Sequence, residues 1–253
     1  MPLDSTKRFS DRVENYIKYR PGYPKEILPY LEEESGFNGE MQIADMGSGT
    51  GILTKLFLEN GNTVYAVEPN DAMRNAAEDL LKEYSQFISI NGTAEQTGLD
   101  KESMDMIVAG QAFHWFDPVK TKKEFQRIAR INAFVVLIWN ERQIKSEFEK
   151  AYEAFLMQYA TDYKEVKHTT ITAEKISTFY DPYTNTHKTF YNEQIFDFDG
   201  LKGRLLSSSY IPNITHPSYE KMMIALQHLF EKYQSENRVK IEYETSVYAG
   251  KIR

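Results

Sequence analysis

The chain has 253 residues, of which 41% are hydrophobic and 26% are charged, a balance typical of a folded globular protein rather than a disordered one. Its formal net charge of -7 disfavours duplex DNA or structured RNA as a partner, because an acidic surface repels phosphates. The sequence has no cysteine, which excludes disulfides, zinc–thiolate sites and thiol nucleophiles and fits a reducing compartment.

The N-terminal segment predicts two helices with a turn between them. Residues 10–34 have a helical pattern that is interrupted at residues 20–24 (RPGYP), where each proline resists continuation of a helix. The segment contains no apolar stretch of the kind found in signal peptides. The longest apolar run, residues 133–139, is much shorter than the about 20 residues that cross a bilayer. We therefore expect a cytoplasmic protein that does not insert into a membrane.

From about residue 41, short apolar runs alternate with helical stretches. The pattern predicts strands at residues 42–46, 63–67, 87–90, 104–109 and 134–139, and helices at residues 52–60, 71–83 and 118–130. Strands that alternate with helices at this spacing indicate βαβ units and a parallel sheet. The sequence therefore predicts an α/β fold.

The last part of the chain has a different rhythm. It predicts an amphipathic helix at residues 145–161, a polar stretch rich in tyrosine and threonine, and then strands at residues 188–196 and 239–252 with helices at residues 199–209 and 217–234 between them. We interpret residues 145–186, together with the N-terminal helices, as a lid over the core. The expected organisation is an N-terminal helical lid segment (1–40), a cofactor-binding core (41–140), a lid insertion (141–186) and a C-terminal part of the core sheet with helices (187–253).

Residues 45–51 (DMGSGTG) form a glycine-rich bend between a predicted strand and a helix. Glycines at such a bend allow a tight turn and a close approach of ligand to backbone. A P-loop requires Gly-Lys-Ser/Thr, whereas Gly51 precedes Ile52, and a dinucleotide fingerprint requires glycine or alanine where Ile52 stands. Asp45 just before the bend suits a cationic ammonium group, and Glu68, at the end of the second strand, has the spacing of an acid that binds ribose hydroxyls.

These features resemble the class I S-adenosylmethionine-dependent methyltransferases, in particular the small-molecule group that includes menaquinone-, ubiquinone- and trans-aconitate-type enzymes. The resemblance extends over nearly the whole chain, through similar segments at residues 19–24, 67–73, 92–95, 111–115 and 203–210. It implies a Rossmann-like fold with a mostly parallel seven-stranded sheet, helices on both faces and a helical lid. It also implies S-adenosylmethionine as the cofactor, a small molecule as the methyl acceptor and no metal ion.

The resemblance assigns cofactor roles by position. Gly47, Gly49 and Gly51 would wrap the methionine part of the cofactor, with Asp45 nearby, and Glu68 would hold the ribose. Further contacts are expected at the cofactor carboxylate, the adenine and the reacting sulfonium. The residues predicted for these contacts are Arg20, Ser48, Thr50, Pro69, Asn70, Met73, Thr93, Ala94, Glu95, Gln111, Ala112 and Phe113.

His114 is the candidate catalytic residue, as a general base or a substrate contact. It follows the fourth predicted strand, at the carboxyl edge where ligands of open α/β sheets bind. Methyl transfer from a sulfonium depends largely on alignment and exclusion of water, and a base is needed only if the attacking atom carries a proton of high pKa. The alternative is a structural histidine that caps the next helix or packs beside Trp115.

Three other functions stay open. An NAD-type oxidoreductase on a similar core is compatible with Glu68, although Ile52 argues against it. A protein that binds S-adenosylmethionine without turnover would carry the same glycine loop. A methyltransferase acting on exocyclic amino groups of bases or on glutamine amides usually has Asn/Asp-Pro-Pro-Tyr/Phe after the fourth strand, whereas residues 111–114 here read QAFH. No feature of the sequence indicates the oligomeric state.

Overall fold

The computed structural model describes residues 12–161, 163 and 172–253. Within these ranges, seven strands form one sheet: β1 (Gln42–Met46), β2 (Thr63–Val67), β3 (Phe87–Ile90), β4 (Met104–Gly110), β5 (Ala129–Arg142), β6 (Asn185–Phe196) and β7 (Val239–Lys251). Their order across the sheet is β3-β2-β1-β4-β5-β7-β6. All the predicted strands are present, and the fifth extends beyond residues 134–139 at both ends because it pairs with β4 and with β7.

The helices connect these strands and flank the sheet. They are α1 (Val13–Tyr19), α2 (Ile27–Ser35), α3 (Ile52–Glu59), α4 (Asp71–Leu81), α5 (Pro118–Ile128), α6 (Glu147–Tyr159), α7 (Ala173–Tyr180), α8 (Phe198–Leu206) and α9 (Tyr219–Tyr233), with a 3-10 turn at Phe113–Trp115. Each predicted helix is confirmed with slightly different ends. The pattern did not predict α7, which lies in the polar stretch.

The sheet is mixed rather than wholly parallel. The pairs β1–β2, β1–β4, β2–β3 and β4–β5 are parallel, as the βαβ pattern predicts. Strand β7 lies between β5 and β6 and is antiparallel to both of them. The expected α/β sheet is therefore confirmed with this correction. The physical reason is that the direction of β7 follows from its pairing partners, which the apolar pattern of one strand does not specify.

Alternate residues of the central strands pack on opposite faces of the sheet. In β5, Val135 and Leu137 belong to one apolar layer, whereas Val136 and Ile138 belong to the other, and all four are fully buried. The first layer is covered by α5 and α7, and the second by α2, α3 and the end of α4. Burial of each such side chain contributes about 1.5–3 kcal/mol, so both faces hold the loops at the carboxyl edge of the sheet rigidly.

Helix α7 belongs to the core of the sheet. Ile176, Phe179 and Tyr180 are buried in the layer that contains Val135, and the Tyr180 hydroxyl lies 3.1 Å from the carbonyl oxygens of Val135 and Tyr248. Helix α7 is therefore not part of the predicted lid, although it lies within residues 145–186, because the apolar face of α7 packs against the sheet. Residues 162 and 164–171 of that lid lie outside the described residues, and the division into four segments stays a prediction.

Tyr180→Phe tests this docking. The substitution keeps the ring but removes the hydroxyl from two buried carbonyl oxygens, so we expect the free energy of unfolding to fall by about 1 kcal/mol in urea denaturation. The matched control is Tyr183→Phe, because the Tyr183 side chain is exposed and its hydroxyl faces water. Equal effects of the two substitutions would contradict the assignment of α7 to the core.

A third apolar cluster forms beside the sheet. Helices α6, α8 and α9 pack against one another and against the ends of β6 and β7 through buried residues such as Leu156, Leu201 and Leu226. Helix α6 begins at a capping box in which Ser146 and Glu149 satisfy each other's backbone amides. This cluster stands next to the carboxyl end of β5 and supplies a wall of the cavity described below. No helix in the described ranges has both the length and the apolar character of a membrane span.

Candidate functional site

The glycine bend after β1 is held by the neighbouring strand. The backbone amides of Gly47 and Ser48 donate hydrogen bonds to the carbonyl oxygen of Val67, at 2.9 and 3.2 Å, where β2 ends. At Gly47, with φ +65°, a Cβ would lie 2.8 Å from the Cβ of Ala112, so a side chain does not fit within the protein itself. At Gly49, with φ +58°, a Cβ would meet nothing within 4 Å among the described residues. Gly49 therefore faces open space on the ligand side of the bend.

Asp45 presents a buried carboxylate oxygen to this space. The residue is 1% exposed, its Oδ2 accepts a hydrogen bond of 2.6 Å from Thr54 Oγ1, and its Oδ1 has no hydrogen-bond partner among the described residues. Burial raises the pKa of Asp45 to about 7, with a further contribution from the charge of Glu68. A buried oxygen without a donor is costly, and a cationic ammonium group is the ligand that would satisfy it best.

Glu68 links the loops that follow β1 and β2. Its Oε2 accepts the Gly49 amide at 2.9 Å and its Oε1 accepts the Asn70 amide at 2.8 Å. Burial raises the pKa of Glu68, and the two amide donors oppose this rise. The carboxylate of Glu68, which the resemblance predicts to hold the cofactor ribose, therefore lies beside Gly49.

A cavity of about 490 Å³ opens at the carboxyl edge of the sheet, between the glycine bend and the third apolar cluster. This is the edge at which open α/β sheets bind ligands. The cavity brings together a large part of the predicted site, namely Arg20, Asp45, Gly47, Ser48, Gly49, Thr50, Gln111 and His114.

The other predicted cofactor residues do not line this cavity. Asn70 caps α4 by accepting the Met73 amide at 3.0 Å, and Glu95 accepts the amide of Asp117 at 2.9 Å. Phe113 packs in the core, with its ring centroid 4.7 Å from that of Phe179. The complete set comprises Gly51, Glu68, Pro69, Asn70, Met73, Thr93, Ala94, Glu95, Ala112 and Phe113. Their roles toward a cofactor stay predictions.

Gln111 is held in an uncommon backbone conformation at the end of β4. Its φ is +55°, its amide donates to the Ile138 carbonyl at 2.9 Å, and its Nε2 donates to the Asn140 carbonyl at 2.9 Å. Its Oε1 is buried without a hydrogen-bond partner among the described residues. Non-glycine residues at positive φ are strained and concentrate at functional sites, which agrees with the position of Gln111 on the cavity wall.

His114 lies in the 3-10 turn after β4 and lines the cavity. Its ring centroid is 4.8 Å from that of Trp115, which also lines the cavity. The following helix, α5, is capped by Asp117, whose side chain accepts the amides of Val119 and Lys120. The helix-capping alternative for His114 is therefore wrong, whereas packing beside Trp115 is present, and both ring nitrogens of this cavity-lining residue are buried.

The turn between α1 and α2 is tied to the sheet next to the cavity. The Gly22 carbonyl accepts hydrogen bonds from the side-chain amides of Asn140 and Asn192, at 3.0 and 2.8 Å. Arg20 donates from Nη2 to the Ser207 carbonyl at 3.0 Å, and its Nε is buried without an acceptor among the described residues. Burial and the nearby charge of Arg204 lower the pKa of Arg20. These contacts keep a guanidinium at the cavity wall.

Sequence reasoning missed most of the wall opposite the glycine bend. Most of these residues come from α1, the end of β5, α8 and β7, and two lie outside these elements, so they share no motif in the chain. All of them except one asparagine are aromatic or cationic. The residues concerned are Tyr16, Asn140, Arg142, Tyr163, Arg204, Tyr210 and Tyr243.

The central part of the chain is similar to known methyltransferases. Residues 44–137 match the family model described as a methyltransferase domain. An uncharacterized methyltransferase of Mycobacterium tuberculosis is 34% identical over 139 residues, which cover 55% of this chain and 54% of that protein. An uncharacterized methyltransferase of Schizosaccharomyces pombe is 31% identical over 137 residues, or 54% of this chain and 53% of that protein. The chain thus matches about half the length of these relatives.

The likeness to solved structures extends further. The structure of a candidate type II methyltransferase from Anaeromyxobacter dehalogenans superposes with a TM-score of 0.70 at 22% identity, and the match covers 92% of this chain and 98% of that chain. At this level of identity, the likeness concerns the fold. The Rossmann-like methyltransferase fold predicted from the sequence is confirmed.

Proposed function

We propose that this chain, whose residues 44–137 match a methyltransferase-domain family, is a class I S-adenosylmethionine-dependent enzyme that transfers a methyl group to a small-molecule acceptor. The observation that carries the proposal is that Asp45 lines the cavity and that its buried Oδ1 has no donor among the described residues. The ammonium group of the cofactor's methionine part provides the missing cation and donor. A pyrophosphate provides neither.

The other groups around the bend fit the same ligand. Arg20 has a buried Nε with no acceptor in the described ranges, and a guanidinium pairs well with the cofactor's carboxylate. Because Gly49 has no Cβ, the space beside it is open to a ligand, and the Glu68 carboxylate accepts a hydrogen bond from the Gly49 amide. The carboxylate of Asp45 directly before the bend repels the phosphates of ATP or of a dinucleotide, which favours the sulfonium nucleoside.

The chain's own contribution to the reaction is alignment. When bound, the cofactor supplies a methyl group that is already activated by the sulfonium. Gln111 is fixed by two hydrogen bonds at the end of β4, and the turn that carries His114 follows at once, so both side chains are positioned on the wall of the cavity. Trp115 beside them is an aromatic surface that favours positive charge and excludes water.

The small-molecule acceptor is supported by the size and charge of the site. A cavity of about 490 Å³ is in the range of pockets that hold small ligands. The net charge of -7 disfavours nucleic acid, and the lack of cysteine fits a reducing, cytoplasmic location. The test uses methyl-labelled S-adenosylmethionine with the whole extract of a cell. We expect the label in the low-molecular-weight fraction, and label found only in protein or nucleic acid would contradict the proposal.

His114→Gln tests the proposed base. If His114 removes a proton from the acceptor, turnover falls by about 100-fold, because proton transfer by a positioned side chain contributes on this order. The affinity for S-adenosylhomocysteine, measured by calorimetry, stays unchanged because the proposed cofactor contacts lie elsewhere on the wall. Unchanged turnover removes His114 from the role of base and leaves it as a lining residue. The matched control is His216→Gln, since His216 lies outside the cavity lining.

A further inference from the structure

Two arginines line the cavity wall opposite the glycine bend. Arg142 ends β5 and Arg204 lies in α8, and both side chains line the cavity. Arg204 is 8% exposed. A buried cation is costly unless an anion or several hydrogen-bond acceptors compensate it. The partners of the two guanidiniums therefore indicate what a ligand must supply.

The charge of Arg142 is compensated within the protein. Its Nη2 donates a hydrogen bond to the carboxylate of Glu153 and lies 2.9 Å from the Tyr163 hydroxyl. That hydroxyl donates in turn to Glu153 Oε2 at 2.7 Å. The guanidinium also lies 5.3 Å from the centre of the Tyr152 ring. Arg142 and Glu153 thus form an ion pair that is surrounded by aromatic rings and carries no net charge.

The charge of Arg204 has no such compensation. Its Nε donates to the Tyr243 hydroxyl and its Nη1 to Ser208 Oγ, both at 3.2 Å, and both acceptors are neutral. No carboxylate of the described residues forms an ion pair with it. Its Nη2 has no acceptor within the ranges that the structure describes. Burial lowers the pKa of Arg20, and the nearby positive charge of Arg204 lowers it further.

The proposed cofactor leaves no anionic group to pair with the guanidinium of Arg204. This step rests on the proposed function, in which Asp45 takes the ammonium group and Arg20 the carboxylate of S-adenosylmethionine. One cation then remains on the acceptor side of the cavity. A single guanidinium whose Nη2 makes no hydrogen bond to the described residues can pair with one carboxylate, and its one positive charge balances a monoanion but not a phosphate dianion.

We propose that Arg204 binds a carboxylate of the methyl acceptor, so that the acceptor is a small carboxylic acid. The tyrosines around Arg204, among them Tyr210 and Tyr243, provide an aromatic wall for the rest of the molecule. The charge of Arg142 is already balanced by Glu153, so Arg142 does not select the charge of the acceptor, although its buried Nη1 has no hydrogen-bond partner among the described residues.

The first experiment compares matched ligands on the wild-type protein saturated with S-adenosylhomocysteine. Calorimetry measures binding of benzoate against benzamide, which have the same shape and differ in charge, and of inorganic phosphate. We expect benzoate to bind about tenfold or more tightly than benzamide, as a charge-assisted hydrogen bond predicts, and phosphate to bind more weakly than benzoate. Equal binding of acid and amide, or tighter binding of phosphate, overturns the proposal.

The second experiment uses Arg204→Gln, with Arg130→Gln as the matched control because Arg130 forms a surface ion pair with Asp105. We expect Arg204→Gln to lose about tenfold or more in benzoate affinity, Arg204→Lys to recover part of it, and all three variants to keep the affinity for S-adenosylhomocysteine. Loss of S-adenosylhomocysteine binding in a folded Arg204→Gln assigns the arginine to the cofactor and overturns the inference. Failure of the wild-type protein to bind S-adenosylhomocysteine instead refutes the proposed function.

Discussion

Asp45→Asn is expected to lower the affinity for S-adenosylhomocysteine by about 100-fold while it stabilises the free protein. The first effect arises because the substitution removes the negative charge that we assign to the ligand's ammonium group, and a hydrogen bond between charged groups contributes about 1.5–3 kcal/mol or more when it is buried. The second effect arises because burial of the Asp45 carboxylate is unfavourable in the unliganded protein.

The sign of the stability effect follows from the pKa of Asp45. Burial raises it from 3.8 to about 7 in the folded protein. A raised pKa means that the contribution of Asp45 to stability is fully present at low pH and is lost as the pH rises from about 4 through about 7. Asparagine does not ionise, so Asp45→Asn should raise the melting temperature at about pH 8 and have much less effect near pH 4.

Thermal unfolding at both pH values and calorimetric titration at about pH 8 measure the two effects. The matched control is Asp105→Asn, because Asp105 lies on β4 and pairs with Arg130 at the surface, away from the cavity lining. The control should keep the ligand affinity. An Asp45→Asn protein that binds S-adenosylhomocysteine as tightly as the wild type would remove Asp45 from the site.

Gly49→Ala is expected to reduce the affinity for S-adenosylhomocysteine by about 10- to 100-fold with the fold retained. The φ of +58° at Gly49 strains an alanine by about 1–2 kcal/mol, and the added Cβ enters the open space that we assign to the cofactor. Gly47→Ala differs, since its Cβ would collide with Ala112 and should impair folding itself.

The matched control for Gly49 is Gly98→Ala. Gly98 has φ +75°, and a Cβ there meets nothing within 4 Å of the described residues, so the backbone strain is similar but no ligand is proposed nearby. Both variants should therefore lose similar free energy of unfolding in urea, and only Gly49→Ala should lose affinity in calorimetry. Similar ligand affinities for the two variants would show that the space beside Gly49 is not used by the cofactor.

The core of the fold could be predicted from the sequence because the patterns that specify its strands and its glycine bend lie within short contiguous segments. The strands that end at Met46 and Val67 are short apolar runs, and the glycine bend between the first of them and α3 is contiguous in the chain. Alternation of strands and helices then places both strand ends at one edge of the sheet. For this reason the sequence also predicted that Asp45 and Gly49 lie together.

The rest of the molecule depends on contacts between distant residues. Helix α7 was missed because it is only eight residues long and follows a polar stretch rich in tyrosine and threonine, although Ile176, Phe179 and Tyr180 form a single apolar face. The direction of β7 follows from pairing with β5 and β6, which no local pattern specifies. Arg142 on β5 and Arg204 on α8 are 62 positions apart in the chain and share only the cavity that both line, so no local pattern indicated that they belong to one wall.

Calorimetric titration of the purified chain with S-adenosylhomocysteine and, separately, with NAD tests the central claim most directly. The claim is that the bend at residues 45–51 holds a nucleoside with a cationic amino acid part rather than a pyrophosphate. We predict saturable binding of S-adenosylhomocysteine and none of NAD, with an affinity that weakens as the pH falls below about 7 and Asp45 becomes protonated. Saturable binding of NAD without binding of S-adenosylhomocysteine would contradict the account.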